Sequence, residues 1–68
     1  MPPKIRQLKT ALKQTGFTER KAKGSHTAWK HPNVPGIGVT LAGHDGDDAQ
    51  EYQIKQVERA IRQVRGKI

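Results

Sequence analysis

Gly24-Ser25-His26-Thr27-Ala28-Trp29-Lys30-His31 is the stretch whose reading decides the fold. A glycine opens it, Pro32 ends it, and the eight residues fit an extended run rather than a helix. A strand over 25–31 sets Ser25, Thr27, Trp29 and His31 on one face and His26, Ala28 and Lys30 on the other. Trp29 is the single tryptophan. It is read as core, with base stacking as the lesser reading, because so small a domain can hardly spare its largest apolar side chain. An inward Trp29 leaves His26 outward beside Ala28 and Lys30.

Toward the N-terminus, Ile5, Leu8, Ala11 and Leu12 recur at three- and four-residue spacing, which predicts an amphipathic helix over about 3–15. Pro2 and Pro3 suit its start, Gly16 its left-handed cap, and Phe17 the apolar contact that accompanies such a cap. Residues 17–23 read as an edge strand guarded by lysines. Toward the C-terminus, 32–36 is a turn-rich connection, and Ile37, Val39 and Leu41 alternate with Gly38, Thr40 and Ala42 as a third strand. A polar loop over 43–48 then leads to a second helix, with Asp48 and Glu51 resembling a capping box. Ile54, Val57, Ile61, Val64 and Ile68 form its one apolar stripe.

Helix, three strands, helix is therefore the expected order, an α+β fold in one domain over 1–68. Both helices are expected on one face of a small antiparallel sheet, with the other face open. At 68 residues without cysteine, core burial must hold the fold with no disulfide or thiolate metal site to help. The absence of cysteine, of an apolar span and of a signal-peptide core is read as a soluble, cytoplasmic protein.

The net charge is +7 and unevenly spread. Residues 1–30 carry eight Lys/Arg and one Glu, residues 31–52 four acids and no Lys/Arg, and residues 53–68 five Lys/Arg and one Glu. Two basic blocks around an acidic hinge favour a polyanionic partner, nucleic acid before membrane.

Three histidines at 26, 31 and 44 lack the spacing of a metal site, and His44 with Asp45, Asp47 and Asp48 is not ordered as a calcium loop. Helix capping is the better account of those acids. Gly36-Ile37-Gly38 lacks the rest of a dinucleotide fingerprint, so neither cofactor nor metal is expected. RNA, however, supplies its own nucleophile in the 2′-hydroxyl. Cleavage then needs only a proton carrier and a cation, tasks suited to His26 and to lysines such as Lys21, Lys23 and Lys30.

Leu12 to Phe17, Lys23-Gly24-Ser25-His26, Trp29, His31-Pro32, Val39-Thr40-Leu41 and Gly43-His44 together resemble the HicA (YcfA-like) family of toxin–antitoxin toxins. The likeness covers nearly the whole chain and departs after the third strand, where 42–48 replaces a Pro/Arg-His and a basic stretch. It implies a double-stranded-RNA-binding-domain-like fold and an mRNA endoribonuclease neutralised by a HicB-type antitoxin. It also implies a catalytic histidine at His26, presented by Gly24 and Ser25. On this reading Lys21, Lys23 and Lys30 hold phosphates, and Ser25 either positions a phosphate or serves the turn. The alternative is an RNA-binding module of the same fold that does not cut.

Overall fold

The computed structural model describes residues 2–67. The elements run α1 (Ile5–Gln14), β1 (Thr18–Lys21), β2 (Thr27–His31), β3 (Val34–Leu41) and α2 (Glu51–Lys67). The strands form one antiparallel sheet in the order β1-β2-β3. This is the expected α+β architecture, with both helices supplying buried residues to a single core. Ile5, Leu8 and Leu12 of α1 and Val57, Ala60 and Val64 of α2 meet Trp29, Val39 and Leu41 of the sheet there. Trp29 is fully buried, and its indole N–H donates to the Thr27 hydroxyl at 2.9 Å, so it is core and unavailable for base stacking. Ile68 lies outside the described residues.

The end of α1 follows from Gly16. Its φ of +100° is open to glycine, and it lets the Phe17 N–H reach Leu12 O (3.0 Å) and the Gly16 N–H reach Lys13 O (3.0 Å). Phe17 then folds back into the core and meets the His31 ring edge-on, with 5.3 Å between centroids. His31 is itself 3% exposed, on the inward face that the alternation with Thr27 and Trp29 assigns it. It accepts the Asn33 N–H on Nδ1 (3.1 Å), which puts its hydrogen on Nε2, and that nitrogen donates to Thr15 O (3.0 Å).

Three boundaries differ from expectation. β2 begins at Thr27 rather than residue 25, because the His26 N–H closes a turn on Lys23 O (3.1 Å) and the Ala22 N–H takes His26 O (3.1 Å). β3 begins at Val34 rather than 37, leaving only Pro32 and Asn33 as the turn. Pro35 is tolerated because β3 is an edge strand, and a register shift between Lys30 and His31 absorbs the irregularity. β1 is shorter than 17–23.

The acidic loop corrects a larger expectation: it caps α1, not α2. Asp47 O accepts the Ile5 N–H (2.9 Å) and Asp45 O the Arg6 N–H (3.1 Å), two donors that a helix start leaves unpaired. Asp48 bridges to Lys4 and Asp45 to Lys9 (2.6 Å), while Asp47 accepts the His44 N–H (3.0 Å). α2 starts later, and its own cap is made by Gln53, whose Oε1 accepts the Gln50 N–H (2.8 Å) and whose Nε2 donates to Ala42 O (2.9 Å).

The Lys9 ammonium, by its hydrogen bond first and its charge second, holds the Asp45 carboxyl below the usual carboxylate range. A folded value below the unfolded one contributes stability above the unfolded value of ~3.9 and loses it as pH falls through the folded one. Asp45→Asn keeps the backbone acceptor for Arg6. It should therefore melt slightly below wild type at neutral pH, with the gap closing in acid and narrowing in high salt. Parallel thermal melts across pH check this.

Candidate nucleic-acid interface

Register decides which cations share a face, because residues paired across strands point the same way. On the open face lie the rows Arg20–Ala28–Thr40 and Thr18–Lys30–Gly38. On the helix side lie Glu19–Trp29–Val39 and Lys21–Thr27–Leu41. Lys30 thus stands on the open face, as expected, and Arg20 joins it there. Lys21 belongs to the opposite side. The alternation of β1 could have revealed Arg20, but with only four residues, all exposed, no buried partner marks its phase.

His26 occupies the turn that joins β1 to β2 and is exposed. Gly24 makes the turn possible with a φ of +62°; a side chain there would meet no neighbour, so conformation and not space calls for glycine. The His26 Nδ1 lies 3.1 Å from Lys23 O. A carbonyl only accepts, so in this contact Nδ1 carries the hydrogen, and in the neutral ring that leaves Nε2 with its lone pair.

Two depressions meet at this imidazole. One, of about 480 Å³, runs from His26 over Thr40 and Ala42 at the edge of β3 to Tyr52, Gln56 and Arg59 of α2. The other, of about 400 Å³, holds Ser25 and Lys21 with Lys9, Glu19, His44 and Asp45. The structure therefore brings Lys21 and Ser25 together with His26, and keeps Lys23 in the same turn. Lys30 lies away along the sheet, opposite Gly38. Arg59 and Tyr52 were not singled out from the sequence, because the phase at which α2 flanks the sheet is a tertiary property. Asp45, Asp47 and Asp48 are engaged with Lys9, the His44 N–H and Lys4, and so act as helix-start partners.

A basic α-β-β-β-α domain that presents an imidazole on a tight turn, with cations on both sides, has the makings of a surface for a polyanion. A family model described as "HicA toxin of bacterial toxin-antitoxin" matches residues 5–65. The chain belongs to the HicA toxin family, whose members are toxins of toxin–antitoxin systems and generally ribonucleases. No curated protein sequence matches it. Among the described residues no helix is long and apolar enough to cross a membrane.

Proposed function

We propose that this chain is a metal-independent mRNA endoribonuclease, the toxin of its pair, with His26 as the group that moves the proton. The observation that carries this reading is the His26–Lys23 contact, which leaves an exposed Nε2 able to accept. Nε2 takes the proton of the 2′-hydroxyl, and the 2′-oxygen attacks the adjacent phosphorus. The P–O5′ bond breaks, the leaving 5′-oxygen takes a proton from solvent, and the His26 imidazolium returns the proton it accepted to solvent. The products are a 2′,3′-cyclic phosphate and a 5′-hydroxyl end, with atoms and charge balanced and no hydrolytic water needed in this step.

Charge on the phosphorane needs a cation held in advance. Lys21, in the depression with His26, and Arg59, across the neighbouring groove, line the two depressions that meet at the imidazole. Lys23 and Lys30 supply longer-range attraction for the backbone, and Ser25 either contacts a phosphate or serves the turn. The toxin acts in the cytoplasm on messenger RNA, and a HicB-type antitoxin neutralises it by covering this basic surface.

Purified protein should cut RNA in EDTA and leave 2′,3′-cyclic phosphate ends, read by end-labelling and mass spectrometry. Ends carrying 5′-phosphate would overturn the mechanism. Binding without cutting, in low salt, would select the non-catalytic module instead.

A further inference from the structure

Tyr52 is 59% exposed, the large hydrophobic side chain that the core leaves out among the described residues. A lone surface tyrosine is ordinary. This one shares a helix face with Gln56, Arg59 and Gln63 at 4-3-4 spacing, and all four line the groove that reaches His26. Across from them the sheet edge offers Gly38 and Thr40, and Ala60 lies on the helix side, so little bulk fills the space. At about 480 Å³ the groove falls in the size range of small-ligand sites, about 300–1,000 Å³.

We infer that this groove is a nucleotide subsite in which Tyr52 stacks on an unpaired base and Arg59 holds the adjoining phosphate. The amides of Gln56 and Gln63 each offer a donor and an acceptor to the edge of that base. A base can lie flat on a tyrosine only when it is free of its own helix, so the ligand is single-stranded RNA. The subsite deepens the ribonuclease reading, on which it rests for its place beside His26, by naming a base contact next to the cleaved phosphate. Its binding role stands apart from cleavage.

The test uses full-length protein carrying His26→Ala, so that RNA stays intact, and a labelled oligoribonucleotide titrated by fluorescence anisotropy at fixed salt. Tyr52→Ala in this background should weaken binding about 10- to 100-fold, the usual worth of one base stack. Tyr52→Phe, which keeps the ring face, should bind as the parent does. An abasic nucleotide scanned along the oligomer should show one position whose loss disappears in the Tyr52→Ala protein. Unchanged binding by Tyr52→Ala, or losses that add at every position, would overturn the subsite. A Tyr52→Ala defect seen only in antitoxin binding would also overturn it, assigning the face to a protein partner. Wild type that binds in this way yet never cuts would remove the ribonuclease reading and leave the subsite standing.

Discussion

His26→Ala is expected to lower the rate of RNA cleavage by about 10²- to 10⁴-fold, the usual contribution of one positioned general base or acid. Stability should stay within about 0.5 kcal/mol of wild type, because the side chain is exposed and its one hydrogen bond is to Lys23 O at the surface. Affinity for RNA should also hold, with an unaltered salt slope, since that slope counts cationic phosphate contacts and leaves Lys21, Lys23, Lys30 and Arg59 in place. Single-turnover cleavage, thermal melts and anisotropy on the same preparation separate these three quantities. A variant that cuts at the wild-type rate would end the assignment of His26. His44, which lines the depression beside Ser25 and His26, would then be the next histidine to replace.

Arg59→Ala offers a contrast with that variant. It removes a cation while leaving the imidazole, and so should weaken binding and lower the salt slope by about one phosphate contact. The two substitutions therefore separate proton transfer from phosphate binding.

What the chain displays locally, its sequence displays well. The alternation around Trp29 and in 37–41 needs only nearest neighbours to be understood, and Gly16 with Phe17 announces its cap through backbone conformation alone. Features that depend on distant partners were not legible. Asp45 and Asp47 lie some forty residues from the N–H groups they satisfy, and next to α2 they look like caps for the wrong helix. Their backbone carbonyls, which carry no sequence signature, make those bonds. Within the candidate site the turn at Gly24 and the outward placing of His26 could be read. The groove could not, because Tyr52 and Arg59 join it through the packing of α2 beside β3.

Gly16→Ala is expected to destabilise the fold by about 2–6 kcal/mol, through two separable terms. The first is backbone strain: φ is +100° at this residue, and such a conformation costs a residue with a side chain about 1–3 kcal/mol. The second is contact. A Cβ at residue 16 would lie 2.8 Å from His31 Nε2, the atom that donates to Thr15 O. That ring cannot swing away freely, since Phe17 packs at right angles to it and Asn33 donates to its other nitrogen. Breaking the bond leaves a polar pair near the core unsatisfied, at about 1–3 kcal/mol. For a domain this small each kcal/mol is worth roughly 4–8 °C, so the melting temperature should fall by on the order of 10–30 °C. Repeating the substitution on a His31→Ala protein isolates the terms. With the ring gone the contact vanishes and only backbone strain is left, so Gly16→Ala should cost less there than in wild type. Equal costs in the two backgrounds would show that strain alone acts and that His31 has room to yield. A Gly16→Ala protein melting with wild type would remove both terms, and with them the claim that this glycine and this histidine jointly fix the end of α1 to the sheet.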